Sequence, residues 1–187
     1  IVGVGHVGSI VERWARGLSM RVLLCDPPRQ QAEGGDRWVS LDDIAAKADI
    51  ITFHTPLTRE GACATYHMAG EAFFNSLRRA PVIINSARGP IVDNSVWADA
   101  LEAGVCGPAI VDCWENEPQI NQHLLAQASI ATPHIAGYSI EGKRRASQMS
   151  LDALCRHFGL PALHIAGELP PAPARAITAA TALEGYD

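Results

Sequence analysis

Short apolar runs alternate along this chain with stretches whose apolar positions recur every three or four residues. The runs at Ile1–Gly5, Arg21–Asp26, Asp49–His54, Pro81–Asn85, Pro108–Cys113 and Ser129–Thr132 read as strands. Several are apolar at almost every position, the pattern of strands covered on both faces. Helical spacing falls between them at Val7–Leu18, Leu41–Lys47, Gly70–Leu77, Asn94–Glu102 and Gln122–Gln127. Asp93 stands where the Asn94–Glu102 helix needs an N-terminal cap, and Gly104 where it needs a stop. Ser139–Phe158 has no proline and one early glycine, which predicts a long helix. The alternation predicts an α/β fold, a doubly wound parallel sheet over residues 1–138. A connecting helix over 139–158 and a Pro/Ala-rich segment over 159–187 follow, the latter read as the start of a second domain.

Composition narrows the classes. Hydrophobic residues make up 48% and charged residues 19%, the proportions of an ordinary globular protein. A formal net charge of −5 argues against nucleic acid and anionic membranes as partners but allows a local basic pocket. No apolar run approaches the ~20 residues that cross a bilayer. Cys25, Cys63, Cys106, Cys113 and Cys155 are odd in number and never spaced C-x-x-C. That pattern suggests reduced, mostly buried thiols in a cytoplasmic protein, with no metal site expected. Ile1–Gly5 reads as the inside of a strand without a lead-in, so the chain is expected to be a piece of a longer protein.

Gly3-Val4-Gly5-His6-Val7-Gly8 matches G-x-G-x-x-G. Alone the match is weak; here it follows a predicted strand, opens a predicted helix, and is followed by a second strand ending in Asp26. That context makes the first 138 residues a dinucleotide-binding (Rossmann) domain. Gly3 permits the tight turn, Gly5 the approach of a pyrophosphate, and Gly8 close helix–strand packing. The N–H groups around His6 and Val7 face the anion. Asp26 suits a ribose diol and repels a 2′-phosphate, which favours NAD over NADP, while nearby Arg29 weakens that preference.

Three polar groups follow predicted strands at the carboxyl edge of the sheet, where such folds bind ligands. Arg88 follows Val82-Ile83-Ile84 and its planar fork suits a carboxylate, although by itself it reads as a surface arginine in a salt bridge. The acidic loop from Asp112 to Glu117 follows Ala109-Ile110-Val111, and a carboxylate there can hold an imidazole in one tautomer. His134 follows Ile130-Ala131-Thr132-Pro133 in H-I-A-G. The same tetrapeptide recurs at His164 between Pro161 and Pro170, without such partners, and is read as coincidence. Together Arg88, a carboxylate of the acidic loop and His134 on successive strand ends beside the glycine motif form an apparatus for hydride transfer. His67, His123 and His157 are read as ordinary surface or packing histidines, and Trp14, Trp38 and Trp97 as packing residues.

These motifs, with His54-Thr55-Pro56-Leu57, Asn85-Ser86-Ala87-Arg88-Gly89 and Thr132-Pro133-His134-Ile135-Ala136-Gly137, resemble those of the D-isomer-specific 2-hydroxyacid dehydrogenases. Three stretches are similar to the branch of that family that oxidises 4-phosphoerythronate: His54 to Gly61 running on to Thr65-Tyr66-His67, Trp114 to Pro118 with Ile120-Asn121, and Ala136 to Lys143. The resemblance implies that His134 takes the substrate hydroxyl proton, Glu117 pairs with His134, and Arg88 binds the substrate carboxylate. It implies an NAD site of Gly3, Gly5, His6, Val7, Gly8, Asp26, His54, Thr55, Pro56, Ala87, Arg88, Asp112, His134 and Gly137. Pro56, Ala87 and Asp112 would line its nicotinamide side. A small phosphorylated 2-hydroxy acid as substrate, and a homodimer in the complete protein, follow from the same resemblance. The alternatives on this apparatus are another D-2-hydroxyacid or phosphoglycerate-type dehydrogenase, and a non-catalytic NAD(H)-sensing protein.

Overall fold

The computed structural model describes residues 1–167; the rest of the Pro/Ala-rich segment lies outside the described residues. The chain divides into two compact units at Ala136/Gly137.

In the first unit β1 (Ile50–Phe53), β2 (Val82–Asn85), β3 (Ala109–Val111) and β4 (Ile130–Ala131) form a parallel sheet in that order. Ile51 stands opposite Ile83, Ile83 opposite Ala109, and Ile110 opposite Ile130. The predicted strands at 1–5 and 21–26 appear only as parallel bridges: Val2 lies between Phe53 and Cys25, and Leu24 pairs with Trp38. The chain bends into the glycine turn and into a helix directly after these pairings, so neither run extends into a ladder. Backbone bonds still hold them in line, Val2 N–H to Thr52 O at 2.9 Å and Gly3 N–H to Cys25 O at 2.8 Å. Read across the sheet, the order is Trp38, Leu24–Cys25, Val2, β1, β2, β3, β4. Chain direction across the sheet reverses between Val2 and β1, the switch point where a ligand crevice opens.

Helices α1 (His6–Gly17), α3 (Leu41–Lys47), α4 (Glu71–Ser76), α5 (Asn94–Glu102) and α6 (Gln122–Gln127) lie within a residue or so of the spans that periodicity predicts. Helix α2 (Pro27–Glu33) was not anticipated; Asp26 caps it by accepting from the Arg29 N–H, and proline opens it. Asp93 caps α5 through the N–H groups of Ser95 and Val96, and Gly104 leaves it at φ +67°. Ile44, Ile51, Phe53, Ile83, Trp97, Val111 and Leu124 are fully buried and form the core.

One expectation fails on the sheet. Val82, Ile84 and Ile110 are only half-buried, so β2 and β3 are not covered equally on both faces. An apolar groove of ≈ 590 Å³, lined by Trp14, Leu18, Met20, Ile50 and Ile84 among others, runs along that face. Trp14 is 65% exposed and belongs to this groove, whereas Trp97 and Trp38 are buried as packing residues should be.

The second unit is helix α7 (Ile140–Phe158), capped by Ser139 and ended by Gly159 at φ +62°. The chain returns along it: Gln148 donates to Leu163 O at 2.7 Å and accepts from Ile165 N–H at 2.8 Å, while Arg144 donates to Ile165 O at 3.1 Å. Arg144 thereby ties the returning chain to the helix. His164 is exposed beside it.

Candidate active site

The glycine turn fits closely against its neighbours. Gly3 sits at φ +84°, and a Cβ there would lie 2.7 Å from the His54 carbonyl carbon and 2.8 Å from Thr55 Cγ2. A Cβ on Gly8 would lie 2.1 Å from Gly3 O, whereas one on Gly5 would meet nothing within 4 Å. Two glycines close the turn and the third leaves a space in front of it. Among the described residues no side chain caps the first turn of α1, so its N–H groups, around His6 and the 55% exposed Val7, point into that space. Thr55 Oγ1, packed beside Gly3, is buried without a hydrogen-bond partner among the described residues. An open cradle, free helix N–H groups and an orphaned hydroxyl fit a dinucleotide.

Asp26 stands at the far side of the cradle. One oxygen accepts from Val4 N–H at 2.8 Å and the other from Arg29 N–H at 3.1 Å, which leaves further lone pairs for a ribose diol. The Arg29 guanidinium is already engaged by Val4 O and by Glu33 at 2.6 Å. At the end of β1, burial and then the Ile1 ammonium hold His54 below the usual imidazole range, and its Nε2 meets Thr52 Oγ1 at 3.0 Å. Pro56 follows it, exposed.

Beyond β2, Asn85 folds the loop over itself. Its amide donates to Arg88 O at 3.1 Å and its oxygen accepts from Ala87 N–H at 3.2 Å. Ala87 is buried and Arg88 exposed, with no ion pair to Arg88 among the described residues. The surface salt bridge considered for this arginine is not formed.

Beyond β3, Asp112 is 5% exposed and accepts from Thr132 Oγ1 at 2.6 Å, Ile135 N–H at 2.8 Å and Ala136 N–H at 3.0 Å. It thereby shapes the loop that carries His134. Burial alone would push its carboxyl up; the three donated bonds and the nearby His134 outweigh burial and hold it below the usual carboxylate range. Its folded-state value thus lies under its unfolded one. Its stabilisation is complete above the ordinary carboxylate value of ~3.9 and is lost as pH falls through the folded value. Stability curves of the wild type and Asp112→Asn should converge below about pH 4 in urea melts run at several pH values. Parallel curves would show that Asp112 titrates alike in both states.

Glu117 and His134 meet. His134 Nδ1 lies 2.8 and 3.0 Å from the two carboxylate oxygens, and Trp114 N–H donates to the same glutamate at 2.8 Å. A carboxylate only accepts, so Nδ1 carries the proton and Nε2 of the neutral ring is left as a base. His134 takes φ +53°, with its N–H bonded to Asp112 O at 2.8 Å. A cleft of ≈ 430 Å³ opens beside the pair, walled by Trp114, Ile120, Leu125 and Pro133 among others. Burial first, then Asp112 and Glu117, push the Cys113 thiol up to about 12 while Arg88 pulls it down. Arg88 and Glu117 therefore stand within electrostatic reach of one buried thiol that is itself no nucleophile. Gly137, with φ +81°, opens the second unit.

One residue was missed. His67 is not an ordinary surface histidine: its ring lies between Glu115, at 2.7 Å from Nε2, and Asp93, at 3.3 Å from Nδ1. Its partners are distant in sequence, and in the chain it is marked only as part of the Thr65-Tyr66-His67 stretch of the family resemblance.

Comparison with known proteins shows the family and the fold. Residues 1–136 match the family model described as D-isomer specific 2-hydroxyacid dehydrogenase, NAD binding domain. Proteins named erythronate-4-phosphate dehydrogenase are 49% identical in Bacteroides thetaiotaomicron, over 92% of this chain and 49% of that one, and 45% identical in Porphyromonas gingivalis, over 91% and 47%. The chain thus spans about half the length of the curated relatives it matches. Among solved structures, D-lactate dehydrogenase from Aquifex aeolicus complexed with NAD and lactic acid superposes at TM-score 0.67 with 26% identity, covering 84% of this chain and 52% of that one. Holo D-mandelate dehydrogenase of Rhodotorula graminis superposes at TM-score 0.67 with 28% identity, covering 90% and 50%. Matched over residues 1–136, the chain belongs to the D-isomer specific 2-hydroxyacid dehydrogenase family and carries its NAD-binding domain.

Proposed function

We propose that the full-length protein oxidises 4-phospho-D-erythronate to 2-oxo-3-hydroxy-4-phosphobutanoate with NAD⁺, on the route to pyridoxal 5′-phosphate. The observation that carries this reading is the Glu117–His134 pair at the carboxyl edge of the sheet, on the same edge as the glycine cradle. The substrate is suggested by the name of the relatives in Bacteroides and Porphyromonas.

In this reading the glycine turn and the α1 N–H groups hold the pyrophosphate, Asp26 the adenosine ribose, and the His54–Pro56, Ala87 and Asp112 loops the nicotinamide side. NAD⁺, when bound, supplies the hydride acceptor. His134 Nε2 takes the proton of the substrate 2-hydroxyl as C2 loses its hydride. Glu117, against Nδ1, stabilises the imidazolium that forms, and the Arg88 fork, whose Nη1 donates to Ala87 O at 2.6 Å and which has no ion pair among the described residues, binds the substrate carboxylate. The full-length protein is read as a cytoplasmic homodimer. Among the described residues no helix is long and apolar enough to cross a membrane.

A substrate and cofactor panel on the full-length protein tests the proposal. Turnover should favour 4-phospho-D-erythronate over 3-phosphoglycerate and D-lactate. NAD⁺ should be preferred to NADP⁺, because a 2′-phosphate would meet the Asp26 carboxylate and find Arg29 already paired with Glu33. Equal rates across the acids would refute the substrate assignment and leave a general D-2-hydroxyacid dehydrogenase.

A further inference from the structure

The loop W-E-N-E-P carries two glutamates, and only one faces His134. Glu115 turns the other way. Its Oε1 accepts from His67 at 2.7 Å, its Oε2 from Asn94 N–H at 2.8 Å, and its own N–H donates to Asn94 Oδ1 at 3.0 Å. Asn94 is 1% exposed and is the first residue of α5. Asp93 splits its oxygens in the same way, one capping α5 and the other 3.3 Å from His67 Nδ1. Each carboxylate therefore joins His67 to the same helix start.

His67 is held in two further ways. Its N–H donates to Pro90 O at 2.7 Å, and its ring stacks on Tyr66 at 4.0 Å with 15° between the planes. Arg59 lies 4.3 Å from the same Tyr66 ring. His67 sits at φ +48°, a backbone cost that a non-glycine residue bears only where its surroundings over-determine it. Its two ring nitrogens are turned to different carboxylates, Nε2 to Glu115 and Nδ1 to Asp93, so the ring straps one loop to two others.

We infer that His67 and Glu115 are positioning residues for the Glu117–His134 pair. They tie the loops after β1, β2 and β3 into one block and fix the turn from which Glu117 reaches His134. The turn is short: Glu115 is anchored, Asn116 turns through φ +57°, and Glu117 folds back onto Trp114 N–H. Releasing Glu115 from His67 loosens that turn, and the carboxylate that selects the Nδ1–H tautomer of His134 moves with it. Asp112, the other carboxylate within electrostatic reach of His134, is anchored independently by Thr132, Ile135 and Ala136 and stays in place. The inference rests on the reading that Glu117 and His134 work as a pair.

The ring tautomer is the measurement, because a residue that only supports the fold would not move it. Long-range ¹H–¹⁵N NMR of the 187-residue chain reports the Nδ1–H to Nε2–H ratio of His134 in the wild type, E117Q, E115Q and H67N. Glutamine at 115 keeps the shape and can still accept from Asn94 N–H. Asparagine at 67 tolerates the left-handed backbone but is too short to reach Glu115. Expected is a ratio dominated by Nδ1–H in the wild type that falls by roughly three- to tenfold in E115Q and in H67N, the weight of one ordinary hydrogen bond. A ratio that changes in E117Q alone overturns the inference while sparing the pair. A ratio unchanged even in E117Q overturns the pair, and the inference with it. If E115Q fails to fold, H67N decides by the same criterion, since it leaves Glu115 bound to Asn94.

Discussion

Replacing His134 by Asn in the full-length protein should lower kcat by roughly 10²–10⁴-fold, the ordinary worth of a positioned general base. The backbone gives the variant a fair chance to fold, because asparagine accepts the left-handed conformation that His134 adopts at φ +53°. The His134 N–H bond to Asp112 O is made by the main chain and survives as well. Glu117→Gln should cost activity of the same order by a different route. The Gln amide can donate to Nδ1, and a ring that accepts there carries its proton on Nε2, where the substrate needs a base. NAD⁺ affinity should change little in either variant, since the glycine cradle and Asp26 are untouched. Steady-state kinetics with a separate cofactor titration would check both. Full activity in both variants would mean that the pair does no proton chemistry and that the catalytic assignment is wrong.

Gly89→Ala should be the most damaging small substitution away from the pair. A Cβ at Gly89 would stand 1.9 Å from Trp114 O, 2.1 Å from its carbonyl carbon and 2.6 Å from Glu115 N, all backbone atoms with no rotamer to yield. The β2 and β3 loops would have to part, which costs about 3 kcal/mol or more. For a chain of this size that lowers Tm by about 6–12 °C. The same movement carries Glu115 and Glu117 away from their partners, so activity should fall with stability. Gly17→Ala is the control: at the end of α1 a Cβ meets nothing within 4 Å, and φ there is not left-handed. That variant should be neutral or slightly more stable. Thermal melts of the two would decide, and a Gly89→Ala chain melting with the wild type would show that the loops are looser than their contact implies.

The two substitutions act on one construction, loops at the carboxyl edge locked together by backbone contact. Its large parts are legible in the chain. Apolar runs such as Val82-Ile83-Ile84 and Ala109-Ile110-Val111 read as strands and form them, though one of their faces is only partly covered, and the helix starts carry their caps, Ser40, Asp93, Asn121 and Ser139, in plain view. Where local signals were weak, reading failed. Asp26-Pro27-Pro28 opens α2, yet its seven residues bury nothing and leave no apolar stripe to read. The strand runs at 1–5 and 21–26 are apolar enough to predict, but how long a ladder they make depends on where the glycine turn and α2 pull the chain away.

By itself the sequence determined the alternation of strand and helix, the glycine turn with Asp26 at its far end, and the set of polar residues that must gather where strands end. Those features are local: hydrophobic period, cap chemistry and spacing act over a few residues and survive translation into letters. Which of the glutamates at 115 and 117 faces His134 was another matter for the residues alone, where only the family resemblance pointed to Glu117. So was the use of His67, whose partners Asp93 and Glu115 arrive from two other loops, the second 48 residues away. Identical side chains differ there only in direction. Direction is set by Gly89 lying against Trp114, by Asn94 at the start of α5, and by Asp112 gathering the His134 loop. Those are contacts between distant parts of the chain, and only the tertiary structure could decide them.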